Sequence, residues 1–187
     1  MNIRSGSKGF ARPAPRVKAK RIPRAQIMAI YREQVLRNSK KPMKSVFVSQ
    51  RNFRLGTSDD WSNATEIERN PAWVDIDGAD YVWSSRNLSA EVAVVSERFN
   101  LRGDIERGRL QLAVDNYAVV LINGRIVVYD EPQAQVSFFN PGRTFNVRRF
   151  LRRGRNDIVI IAFNFGGPRT ADNPGGVAAR LDVRLDD

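Results

Sequence analysis

Neither cysteine nor histidine occurs among the 187 residues. The first absence excludes a disulfide scaffold, thiolate zinc sites and cysteine nucleophiles. The second excludes Ser-His-Asp and Cys-His nucleophile arrangements and imidazole metal ligation, and it removes the side chain best suited to proton transfer near neutrality. Paired carboxylates remain, with Asp75, Asp77, Asp80, Asp115 and Glu131 available in principle to hydrolyse a glycoside. Their turn-like positions fit the capping and solvation of loops better than an acid and base pair, so no catalysis is expected. No apolar run is long enough to span a bilayer or, near the N-terminus, to serve as a signal peptide, and the expected site of synthesis is the cytosol.

Acidic residues are scarce in the first quarter of the chain. Residues 1–45 hold 13 basic side chains against Glu33 alone, a net of +12, whereas residues 46–187 hold 18 basic and 19 acidic, a net of −1. The chain therefore divides into a basic arm, 1–45, and a nearly neutral body, 46–187, long enough to bury a core without disulfides. Up to Pro23 the arm is mostly Gly, Ser, Pro, Lys and Arg and is expected to be extended until a partner holds it. Its composition resembles an organelle transit peptide, but Pro13, Pro15 and Pro23 interrupt the helix such a peptide requires. From Arg24 to Ser39, Ile27, Met28, Tyr31 and Val35 share one helical face, which predicts a short amphipathic helix. That face either docks on the body of the same chain or on a neighbouring subunit. The second alternative makes Arg12, Arg16, Lys18, Lys20, Arg21, Arg24, Ile27, Tyr31 and Val35 a partner-binding arm. Phosphate, acidic protein and lipid headgroups would all attract its charge.

The body reads as all-β. Ala118-Val119-Val120-Leu121-Ile122, Asn123-Gly124 and Ile126-Val127-Val128-Tyr129 form two strand-like runs around a tight turn. Phe150-Leu151, then Gly154-Arg155-Asn156-Asp157, lead into Ile158-Val159-Ile160-Ile161-Ala162-Phe163, a run apolar enough for burial on both faces. Val46-Phe47-Val48 opens a further alternation. The order of these signals resembles the galactose-binding-like β-sandwich. Trp73 with Gly78-Ala79-Asp80-Tyr81-Val82-Trp83-Ser84, the strand-like Glu91 to Leu101, and Asn173-Pro174-Gly175-Gly176 before a last strand extend the likeness over residues 73–183. The resemblance implies a jelly-roll β-sandwich, preceded here by the arm and one helix. It also implies a choice of functions, because this family includes sugar binders, enzyme appendages, cell-surface modules and virion proteins.

Three features of the body are possible sites. Asp75-Ile76-Asp77-Gly78-Ala79-Asp80 is similar to part of a calcium loop, and a structural calcium is common in the family, although a matching glutamate is missing and a plain turn competes. A sugar site would draw on Trp61, Trp73, Trp83, Arg86, Arg143, Asn164 and Arg169, with Trp73 and Trp83 falling where the family packs its core. The loop from Gly166 to Gly176 is glycine-rich and polar, as binding loops are. The leading expectation is a non-enzymatic structural protein of a large assembly anchored by the arm, with a virus or phage particle (minor capsid, decoration or tail component) fitting best. The alternative is a carbohydrate-binding module for cell-surface attachment. A nucleic-acid-associated protein using the arm ranks third, because by count the body adds no positive charge.

Overall fold

A computed structural model describes residues 22–40, 44–45, 51–129 and 142–186. The basic residues Arg12, Arg16, Lys18, Lys20 and Arg21, the Val46-Phe47-Val48 run and Glu131 lie outside the described residues. Helix α1 (Arg24–Asn38) precedes strands β1 (Lys44–Ser45), β2 (Asn52–Gly56), β3 (Ala64–Glu66), β4 (Val82–Ser84), β5 (Val92–Leu101) and β6 (Asp104–Asp115). There follow β7 (Tyr117–Ile122), β8 (Arg125–Tyr129), β9 (Arg143–Asn146), a 3₁₀ turn at Arg148–Phe150, β10 (Gly154–Phe163) and β11 (Gly176–Asp186). One sheet runs β1-β5-β10-β7-β8; the other runs β3-β4-β11-β6-β9, with β2 also paired to β11. Two facing sheets with the long strands β5, β6, β10 and β11 at their centres make the β-sandwich that the family resemblance implied.

The Asn-Gly signal marks a genuine reversal. Asn123 and Gly124 both have positive φ, 51° and 74°, the type I′ geometry that matches the twist of a tight hairpin, and β7 pairs with β8 around them. Alternation along the strands then sorts the side chains. Ala118, Val120, Ile122, Ile158, Ile160 and Ala162 point into the space between the sheets, where they meet Leu110, Leu112, Val177, Ala179 and Leu181. Their neighbours Val119, Leu121, Val159, Ile161 and Phe163 point the other way, and they are equally buried.

What buries that outer face is α1. Ile27 is fully buried on it, with Met28, Tyr31 and Val35 packed alongside. Polar groups fix the orientation: the Tyr31 hydroxyl donates to Asp157 Oδ1 at 2.6 Å, while Gln34 and Asn38 donate to Ser96 Oγ at 2.9 and 2.6 Å. At the other end the Tyr129 hydroxyl donates to the Ile22 carbonyl at 2.7 Å. The apolar helix face therefore docks on its own chain. Ile27, Tyr31 and Val35, placed by one sequence reading at a partner surface, are internal, because the outer face of β7 and β10 is too apolar to be left in water. Arg24 stays exposed.

The second sheet is covered differently. Ala113 on β6 and Ala178 on β11 present small side chains outward, and Trp73, Ile76 and Tyr81 of the segment between β3 and β4 lie over them. Gly176 permits this close approach, since a Cβ there would come within 2.5 Å of the Trp73 ring.

The helix thus contributes to the stability of the whole sandwich. Ile27→Ala is expected to cost about 2–4 kcal/mol. Tyr31→Phe, which removes the hydroxyl donated to the Asp157 carboxylate, is expected to cost about 1–3 kcal/mol. Both are read by urea denaturation, and wild-type midpoints in both variants would show that the helix is a passive attachment.

Candidate functional site

The polar residues singled out in the sequence gather mostly at one end of the sandwich, where β4 hands over to β5 and β10 to β11. Asn164, immediately after β10, is 6% exposed, and its Nδ2 donates to the carbonyls of Gly167 and Asn173 at 3.3 and 3.2 Å. Arg169 Nε donates to the Gly175 carbonyl at 2.8 Å, and burial draws its guanidinium below the usual arginine range. Asn173 closes the loop again, its N–H on Thr170 Oγ1 at 3.0 Å and its Nδ2 on the Pro168 carbonyl at 3.2 Å. Side chains thus take the place of a ladder for this backbone. Asn164 and Arg169 shape the loop from within and do not project from it.

Residues 85–91 form the adjoining loop. The Asn164 N–H donates to the Glu91 carbonyl at 2.8 Å and the Arg169 N–H to the Ser89 carbonyl at 3.2 Å, so the two loops are stitched together through backbone. Asn87 accepts the Ser89 N–H at 3.0 Å, and Trp83 Nε1 donates to the Ala90 carbonyl at 3.0 Å from the core below. Arg86, Asn87, Leu88, Thr170 and Asp172 are exposed on this braced pair of loops. Arg143 is not with them. It opens β9, three strands from β4 in its sheet and so about 14 Å away, with its guanidinium 5.4 Å from the Phe145 ring centroid.

All three tryptophans are buried. Trp61 Nε1 donates to the Gly56 carbonyl at 2.8 Å, Trp73 Nε1 to Asp115 Oδ2 at 3.1 Å, and Trp83 lies under the 85–91 loop. Trp61 packs between the sheets with Trp83, and Trp73 packs in the cluster over the outer face of β6 and β11. None of the three offers a ring face for a sugar.

The carboxylates of the calcium-like stretch do not converge. Asp77 Oδ2 lies 3.3 Å from both Arg54 Nη1 and Arg180 Nη1, and those arginines also pair with Asp182. Among the described residues no group of three or more Asp, Glu, His or Cys side chains is placed to hold a metal ion. Asp75, Asp77 and Asp80 belong to an exposed turn whose backbone is tied to Thr57, which accepts the Asp80 N–H on its carbonyl at 2.8 Å.

Asp115 departs from the solvated position expected of it. It is 2% exposed beneath Trp73, and burial pushes its carboxyl up to about 7 while the Trp73 N–H pulls it back. Sequence gave no sign of this, because the covering residue is 42 positions away. A folded-state pKa above the ordinary 3.8 means that the folded chain keeps a proton the unfolded chain releases, so this group costs stability as the pH rises from about 4 to about 7. Asp115→Asn retains an acceptor for Trp73 and removes that cost. It is expected to raise stability at pH 8 by about 1–3 kcal/mol and to change it little at pH 4, measured by urea denaturation at both values. An equal effect at the two pH values would contradict a titrating Asp115.

No family model and no curated protein matches the chain. Among solved structures it is similar to a family 35 carbohydrate-binding module from an environmental isolate, at 14% identity and a TM-score of 0.40, with 71% of this chain and 98% of the module covered. The module of the same family from Clostridium thermocellum gives 14% identity, a TM-score of 0.38 and coverage of 69% and 97%. The α-L-rhamnosidase from Dictyoglumus thermophilum gives 15% identity and a TM-score of 0.40, over 74% of this chain but 14% of the enzyme. The chain thus spans a small part of that enzyme's length. At these TM-scores the likenesses carry no argument, and the two-sheet fold rests on the strand order described above.

Proposed function

We propose that the chain is a non-catalytic carbohydrate-binding module that takes its ligand on the loop end. The observation that carries this reading is the bracing of loops 85–91 and 164–175. Their backbones are joined at Asn164 to Glu91 and Arg169 to Ser89, and their buried side chains hold the loop carbonyls. A surface already fixed in this way loses little conformational freedom on binding, which is what hydroxyl recognition by a few directional hydrogen bonds requires. Arg86, Asn87, Thr170 and Asp172 supply donors and acceptors, and Leu88, 48% exposed, supplies an apolar contact beside them. This is the ligand class that the names of the two binding modules above state, and the reading does not rest on them.

The reading of the chain as an anchored unit of a virus particle or other large assembly draws on the basic arm. It loses the apolar face of α1 as an anchor, since that face packs on the chain's own sheet. It keeps the basic residues before Ile22.

Full-length protein on a glycan array is expected to give selective hits that persist at high salt. Arg86→Ala and Asp172→Ala, both exposed, should each weaken the best hit about tenfold or more in titration calorimetry, the equivalent of one directional contact. An array blank at low and high salt would sink the proposal.

A further inference from the structure

The opposite end of the sandwich has a different character. Residues 148–155 hold five arginines and no acid, a local concentration that the near-neutral total of the body conceals. This stretch crosses from β9 to β10 beside the β7–β8 turn. Its shape is set by Asn156, which is fully buried: Oδ1 accepts the Arg152 N–H at 3.0 Å and Asn123 Nδ2 at 2.8 Å, and Nδ2 donates to the carbonyls of Arg152 and Gly154 at 2.7 and 2.9 Å. Asn123 Nδ2 also donates to the Phe150 carbonyl at 2.9 Å. Two asparagines thus fix a turn whose outward side chains are cationic.

The guanidiniums are themselves held. Arg125 and Arg149 lie with Cζ 4.7 and 4.8 Å from the Phe150 ring centroid, and Arg125 Nη1 donates to the Arg149 carbonyl at 3.1 Å. Arg148 and Arg152 use Nε, on the carbonyls of Ile105 and Arg155 at 2.8 and 2.9 Å. Anchoring by Nε leaves the terminal nitrogens for a ligand. Among the described residues none of Arg125, Arg148, Arg149, Arg152, Arg153 and Arg155 forms an ion pair with a carboxylate. Asp157 lies beneath the turn and accepts the Tyr31 hydroxyl; burial raises its carboxyl, which that hydroxyl and the charges of Arg152 and Arg98 pull back down, and Glu106 pairs with Arg184 at 2.7 Å. Asp104 and Asp186 stand opposite each other at the ends of β6 and β11, in the other sheet from β10.

We propose that this arginine end binds the phosphate backbone of a nucleic acid duplex. Pre-oriented guanidinium forks are the groups that grip phosphate oxygens in pairs. Phe150 and Leu151 are buried, so the patch lacks the apolar centre of a protein interface and the exposed ring that a single strand or a sugar would stack on. The contact would position a duplex without reading its sequence. The site is separate from the loop end and does not depend on the carbohydrate reading.

The test is fluorescence anisotropy of the full chain with a labelled random-sequence DNA duplex across a salt series, beside labelled heparin. The wild type should bind the duplex with log affinity falling linearly in log salt. The triple variant Arg149→Ala, Arg152→Ala, Arg153→Ala should reduce that slope by about 2–3 and weaken binding about tenfold or more, equally for unrelated sequences. The corresponding Arg→Lys variant should recover the slope, which a misfolded protein would not. Removing two exposed charges elsewhere, Arg32 and Arg37, should leave the slope in place. An unchanged slope in the Ala variant would overturn the proposal and assign any duplex affinity to the arm. Binding of heparin without binding of duplex would overturn it in favour of an anionic glycan.

Discussion

The structure depends on two strands that are apolar on both sides. In β7 and β10 the side chains that alternate inward fill the space between the sheets, and those that alternate outward are just as hydrophobic. A sandwich strand of that kind cannot face water, so something must cover it. Helix α1 supplies the cover, and the consequences spread from there. The helix must lie across β5, β10 and β7, its polar inner side chains must find Ser96 and Asp157, and its apolar face is withdrawn from any partner. The other sheet meets the same need by a different device, with alanines at Ala113 and Ala178 that let a Trp73-centred loop lie flat on it.

Much of this was legible in the sequence, and the reasons are specific. The Asn123-Gly124 turn was readable because few residue pairs accept two consecutive positive φ angles. The continuous run from Ile158 to Phe163 announced a strand buried on both faces, and the spacing of Ile27, Tyr31 and Val35 announced a helix with one apolar side. What the sequence did not state was that these two features answer each other. Complementarity between elements more than 100 residues apart has no periodic signature. The burial of Asp115 was hidden for the same reason, and so was the role of Asn164 and Arg169, which looked like ligand-facing residues but hold their own loop. The arginines at 148–155 were in plain view. A count of charge over the whole body averaged them with acids that the fold places elsewhere or pairs with other partners.

The two ends of the sandwich have accordingly acquired different chemistries from one scaffold. At one, neutral and polar loops are braced by buried side chains and leave Arg86, Asn87, Thr170 and Asp172 exposed. At the other, Asn156 and Asn123 hold a turn whose exposed groups are almost all guanidinium. At each end a buried asparagine, Asn164 or Asn156, helps to hold the surface, while the residues that would meet a ligand are exposed.

The account turns on α1 being part of one cooperative unit with the sandwich, and native-state hydrogen exchange measures that directly. The buried amides of α1 and those of β7 and β10 are predicted to exchange with similar opening free energies, close to that of global unfolding. Fast exchange throughout α1, with β7 and β10 still protected, would show that the sandwich stands without its cover and would contradict the account.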